Sequence, residues 1–274
     1  MSEKRLEISQ LGEFGLIDRI KAGFEPKNAT SLLGIGDDAA VIETAGDDCL
    51  LISTDMLVEG IHFDLSYMPV HHLGYKAVAV NVSDIAAMNG KAEQITVSIA
   101  LSNRFSVDAV DALYEGIKAA CTNYKVDLVG GDTTSSRSGL VISITVVGRA
   151  KKDSVTYRTG AKVGDIICVT GDLGAAFMGL QVLEREKQVY LANPEMQPSL
   201  DKYEYLVGRQ LKVEARTDIV FDLEEAGVKP SSMIDVSDGL ASELFHLCRG
   251  SQVGVRIYED KVPIDHMTFE TAIE

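Results

Sequence analysis

The sequence has no apolar run close to the ~18 residues of a membrane span, and MSEKRLEISQ at its start lacks the basic, apolar, small-residue order of a secretory signal. A cytoplasmic protein is expected. Positive charge is scarce: 26 Lys and Arg against 41 Asp and Glu leave a net charge of -15. That balance argues against an electrostatic grip on nucleic acid or on an anionic membrane surface. Cysteine is sparse too. Cys49, Cys121, Cys168 and Cys248 form no C-x-x-C pair and sit in or beside apolar segments, so buried free thiols are expected. There is no low-complexity tract or short-period repeat. Neither G-x-x-x-x-G-K-[ST] nor G-x-G-x-x-G-x-V occurs, so any bound phosphate must be held by another device.

What is present is 274 residues of 46% hydrophobic composition, enough for a large core and for two domains. Residues 9–22 space Leu11, Phe14, Ile17 and Ile20 as an amphipathic helix with Ser9 as N-cap. A buried strand is expected over 46–55, ending on Asp55, and an alanine-rich buried helix over 72–88 carries Asp84. The adjacent His71 and His72 point in different directions at the entry to that helix, and so do not share a metal. Then come a strand (94–101), a helix (106–124) and strands at 125–132 and 140–150, an α/β or α+β order.

The polar, basic stretch 151–165 breaks the apolar pattern and marks a boundary between domains 1–150 and 151–274. The second domain reads as strands at 165–171, 231–238 and 254–260, with helices near 173–186, 214–226 and 239–248. The final residues, 267–274, start as a helix without a C-terminal signal, so this domain is expected to be incomplete.

Acidic residues recur where apolar segments end: Asp37 and Asp38 in GIGDDAAV, Asp55 in LLISTD, Asp132 in DLVGGD, and Asp235 and Asp238 in SMIDVSD. Asp84 joins them from its helix. A single Asp after a strand is usually a turn or cap residue, but the repetition points to carboxylates converging at one edge of a sheet. Such a cluster is costly unless cations neutralise it, and hard oxygen donors suit several Mg²⁺ ions shared with a nucleotide. VGGDTTSS offers backbone N–H groups and the hydroxyls of Thr133, Thr134, Ser135 and Ser136 to phosphate. Ser53, Thr54 and Asp55 add oxygen ligands, followed by His62.

Taken in order, GEFGLI, LGIGDDAAV, STDMLVEGIHF, YKAVAVNVSDIAAMNG, VGGDTT, RTGAKVGD, VTGDLG and IDVSDGLASEL resemble the motifs of the thiamine-monophosphate kinases, within the aminoimidazole-ribonucleotide-synthetase-like superfamily. The resemblance covers nearly the whole chain. It implies a two-domain fold whose N-terminal mixed sheet and helices form the ATP-binding and dimerisation domain, followed by a C-terminal α/β domain. It also implies transfer of the ATP γ-phosphoryl group to thiamine monophosphate, with several Mg²⁺ ions and a homodimeric assembly. By position, Asp38, Ser53, Thr54, Asp55, Asp84, Asp132, Asp235 and Asp238 correspond to magnesium ligands, the choice between Asp37 and Asp38 staying open. Tyr114, Gly131, Asp132, Arg158 and Ser237 correspond to ATP contacts, and His62 to a substrate contact. No residue is expected to act as a covalent or acid–base catalyst, because phosphoryl transfer rests on positioning and charge neutralisation. The resemblance also implies a further segment beyond Glu274 that completes the thiamine pocket. Other superfamily activities, such as aminoimidazole ribonucleotide or selenophosphate synthesis, and a non-catalytic Mg-ATP-binding protein are the competing readings.

Overall fold

The computed structural model describes residues 7–274; the first six residues, part of the stretch read for a targeting signal, lie outside them. Strands β1 (Ser31–Leu33), β2 (Ala40–Glu43), β3 (Asp48–Val58), β4 (Lys91–Leu101), β5 (Asp127–Ser135) and β6 (Val141–Lys151) form one sheet in the order β1-β2-β3-β6-β4-β5. All pairs are antiparallel except β4 with β5. That parallel pair needs a crossover, supplied by the helix α3 (Val107–Tyr124).

One face of the sheet is apolar by simple alternation. Leu51 and Leu57 of β3, Ile95, Val97 and Ile99 of β4, and Ile142, Ile144 and Val146 of β6 are buried in one core with the helix α2 (Val70–Ala87). Each such side chain contributes roughly 1.5–3 kcal/mol by leaving water. Within α2, Leu73, Val78, Val82 and Ile85 are all buried, as expected of a helix between layers. Ser106 caps α3 by accepting a hydrogen bond from the Ala109 amide at 3.2 Å. The two helices cross so closely that a Cβ on Gly74 or on Gly116 would strike the other helix's backbone.

The expected end of β3 at Asp55 is corrected: the ladder with β6 runs to Val58, and Asp55 pairs with Ile144 in mid-strand. Backbone pairing, not the polar side chain, sets the end. Asp132 likewise lies inside β5, and the short strands β1 and β2 were not expected. The opening helix α1 (Ile8–Lys21) is capped by Glu7 rather than Ser9, is kinked at Gly12 (φ +67°) and buries none of its residues. Its contacts are lateral, with Phe14 and His246 rings 4.5 Å apart and Asp18 bonded to Arg249 at 3.0 Å.

After residue 151 the structure consists of the helices α4 (Ala175–Ala192), α5 (Glu204–Leu211), α6 (Asp218–Ala226), α7 (Leu240–Ser251) and α8 (His266–Ile273), joined by irregular segments and short 3₁₀ turns. Ala175, Val182, Tyr203 and Leu206 form its buried cluster. The strands expected at 165–171, 231–238 and 254–260 carry no ladder. In the second of them the Met233 N–H donates singly to Tyr157 O at 3.1 Å, and in the first Ile166 stands 88% exposed. An apolar run alone does not make a strand; a neighbour must pair with it. The four thiols are free as expected, but only Cys49 is buried and Cys168 is exposed.

Candidate active site

Three chain segments far apart in sequence bring their carboxylates together. Asp38 comes from the loop before β2, Asp84 from the last turn of α2, and Asp235 from the segment leading into α7. Ligand atoms of the three lie within 4.8 Å of one another. Each is oriented by its surroundings. Ser53 Oγ on β3 donates to Asp84 Oδ2 at 2.5 Å, and Ser83 Oγ donates to Asp235 Oδ2 at 2.7 Å. Arg158 donates through Nε at 3.2 Å, and through a terminal guanidinium nitrogen, to Asp38 Oδ1.

Asp38 is 7% exposed, and its Oδ2 is buried without a hydrogen-bond partner. A buried anionic oxygen left unpaired is costly, and a cation removes the cost. The neighbours differ in what they face: Asp37 spends its carboxylate on the backbone amides of Arg158 and Asp38, while Asp38 groups with Asp84 and Asp235. Burial first, with repulsion from neighbouring acids added, raises Asp38 and Asp84, while Arg158 opposes the shift at Asp38 and Ser53 opposes it at Asp84. Asp38 is pushed up to about 7 and Asp84 to about 8, with Asp55 the leading like charge on Asp84.

Alternation along β3 sends Ser53 and Asp55 toward α2. The Asp55 amide donates to the buried Asn81 Oδ1 at 3.1 Å, and burial together with Asp235 raises the Asp55 carboxyl while His62 opposes the shift. Thr54 projects from the opposite face, where its hydroxyl donates to Ile144 O and accepts from Thr145 Oγ1, both at 3.1 Å. Its side chain is therefore not brought to the cluster. His62 is exposed just beyond β3; its Nδ1 accepts from the Val58 amide at 3.0 Å and its carbonyl from Lys76 Nζ at 3.3 Å.

Tyr114, Gly131 and Asp132 meet elsewhere, in an open groove between α3 and the edge strand β5 that Val97, Leu128, Gly130 and Thr133 also line. A Cβ at Gly131 would collide with the Val97 carbonyl, so glycine here lets β5 approach β4. Ser237 and Asp238 are exposed, and their amides both donate to Glu243 Oε1, at 3.2 and 2.8 Å. Glu243, 5% exposed, was missed by sequence reasoning, although an acid in the first turn of a helix after SDG is a recognisable signal. Ser83 and Asn81 were missed as well; nothing distinguishes them within the apolar pattern of α2.

Residues 36–150 match the family described as AIR synthase related protein, N-terminal domain, and residues 162–273 match its C-terminal domain. Together with the sheet and the convergent acids, this defines a two-domain protein of the AIR-synthase-related class. Similarity to individual proteins is narrower. The chain is 37% identical over 237 residues to the thiamine-monophosphate kinase of Bacillus subtilis (strain 168), covering 85% of this chain and 69% of that protein. It is 36% identical over 262 residues to the thiamine-monophosphate kinase of Aquifex aeolicus (strain VF5), covering 95% and 78%. A solved structure described as AaThiL complexed with AMPPCP and TMP superposes with a TM-score of 0.83 at 34% identity, covering 100% of this chain and 80% of that one. The chain belongs to the thiamine-monophosphate kinase family.

Proposed function

We propose that this chain uses ATP to phosphorylate thiamine monophosphate, giving thiamine diphosphate and ADP by direct in-line transfer at a site holding several Mg²⁺ ions. The observation that carries the reading is the convergence of Asp38, Asp84 and Asp235, with Asp38 Oδ2 buried and unpartnered. An all-oxygen donor set of this kind fits magnesium. Asp38, Asp84 and Asp235 would hold it, with Asp55, Asp132, Asp238 and Ser53 as further donors. When bound, it would supply charge neutralisation between two phosphate-bearing substrates.

The protein's own groups do the positioning. Ser53 and Ser83 fix the rotamers of Asp84 and Asp235, and Asn81 pins the Asp55 backbone to α2. Glu243 sets the Ser237–Asp238 turn. Tyr114, Gly131 and Asp132 form the wall of the nucleotide groove, Arg158 stands beside the carboxylates to meet ATP phosphate, and His62 marks the acceptor side. No side chain is assigned as a general base, since a phosphate oxygen is already ionised at neutral pH.

The same reading divides the chain near 151–165 and joins two copies through the sheet face that α2 and α3 leave uncovered, where Thr54 and Met56 are exposed. Sedimentation showing monomer alone at tens of micromolar would count against that assembly. A cytoplasmic location belongs to this reading; among the described residues no helix is long and apolar enough to cross a membrane. Formation of thiamine diphosphate from thiamine monophosphate, dependent on both ATP and Mg²⁺, tests the whole.

A further inference from the structure

After β3 the chain folds back on itself in two turns. The Ile61 and His62 amides donate to Val58 O at 3.1 and 2.9 Å, and the Met68 amide donates to Asp64 O at 2.8 Å. Phe63 and Met68 are buried in the first domain's core and fix both ends of the second turn. Between these anchors, Asp64 and Tyr67 reach across to α4 of the second domain. Lys187 Nζ meets Asp64 Oδ2 at 2.5 Å, and the Tyr67 hydroxyl donates to Glu184 Oε1 at 2.7 Å. Lys187 also stands 3.8 Å from the Glu184 carboxylate and 5.9 Å from the Tyr67 ring centroid.

The spacing explains the fit. Glu184 and Lys187 are three residues apart on a helix and so share one face, and Asp64 and Tyr67 are three apart on the turn. The four side chains close into a network, which an isolated surface pair does not. The Lys187 and Asp64 side chains are only 25% and 28% exposed. The hydrogen bond from Lys187 holds the Asp64 carboxyl down at about 2.

We propose that Glu184 and Lys187 are positioning residues for acceptor binding: they hold the Asp64–Tyr67 turn, and through it His62, against the second domain. The proposal rests on His62 being an acceptor contact. It makes a directional statement, because the groove of Tyr114, Gly131 and Asp132 lies at β5, separated from β3 by β6 and β4. Loosening the turn should disturb the acceptor and leave the nucleotide alone.

The test compares the full chain with Lys187→Met, which keeps the aliphatic stem and removes the charge, and with Lys187→Arg, which keeps a cation for Asp64. Amide hydrogen exchange over residues 59–68 should quicken in Lys187→Met and recover in Lys187→Arg, with exchange in β4 and β6 unchanged. In parallel, the KM for thiamine monophosphate should rise about fivefold in Lys187→Met, with the KM for ATP unchanged. Unchanged exchange over 59–68, an unchanged acceptor KM, or equal rises in both KM values each overturn the proposal. Hydrogen exchange reads the contact whether or not the chain turns over. Absence of turnover by the unaltered chain would contradict the kinase reading instead.

Discussion

Ser53 on β3 and Asp84 on α2 are joined by a 2.5 Å hydroxyl-to-carboxylate hydrogen bond that spans the interface between sheet and helix. Both residues face the same buried layer because β3 alternates and α2 presents Asp84 to it. The bond orients Asp84 toward Asp38 and Asp235, so its removal should be felt in ion binding more than in folding. Ser53→Ala is expected to weaken Mg²⁺ binding by roughly tenfold, the usual range for a partner that orients a ligand. Calorimetric titration of Mg²⁺ in the presence of an ATP analogue checks this; an unchanged affinity would show that Asp84 holds its orientation unaided.

The same cluster dictates how stability should vary with pH. Asp38 and Asp84 have folded-state values near 7 and 8, above the ordinary carboxylate value, because burial and neighbouring acids disfavour their charged forms. Between about pH 4 and 8 the folded protein therefore keeps protons that the unfolded chain has lost, and stability falls as pH rises through that window. In chelator the melting temperature should drop by several degrees from pH 5 to pH 8, and saturating Mg²⁺ should flatten or reverse the trend. Asp84→Asn should also reduce the slope. A melting temperature in chelator that rises steadily over this range would contradict the charge-cluster account.

Glu243 offers a cleaner separation of charge from hydrogen bonding. Its Oε1 accepts two amides, from Ser237 and Asp238, and Glu243→Gln keeps an acceptor of the same shape. The glutamine variant should retain most ATP affinity, while Glu243→Ala, which frees both amides, should lose about tenfold or more. Fluorescent-nucleotide titration measures both, and equal affinity in the alanine variant would remove Glu243 from the positioning machinery.

Much of this architecture is legible in the sequence, and the failures have physical reasons. The helices α2 and α3 and the strands β4 and β6 follow from apolar periodicity, since their packing and their local pattern agree. Asp38, Asp84 and Asp235 were identifiable by residue type, but their convergence depends on loops and on a helix from separate parts of the chain. Periodicity misled at Asp55, where pairing with β6 carries the strand past a polar residue. It misled again at 165–171, 231–238 and 254–260, where apolar runs have no pairing partner. The Asp64–Lys187 pair escaped because long-range polar contacts leave no local spacing signal; its partners are fixed by the fold.

The central claim is that the carboxylate cluster serves phosphoryl transfer to thiamine monophosphate. Its most direct test is to incubate the purified chain with ATP, Mg²⁺ and thiamine monophosphate and to measure thiamine diphosphate and ADP together. The account predicts that the two products appear in equal amounts, that chelator abolishes both, and that Asp84→Asn lowers the rate at least about a hundredfold. ADP release without thiamine diphosphate, or product formation undiminished by Asp84→Asn, would contradict it.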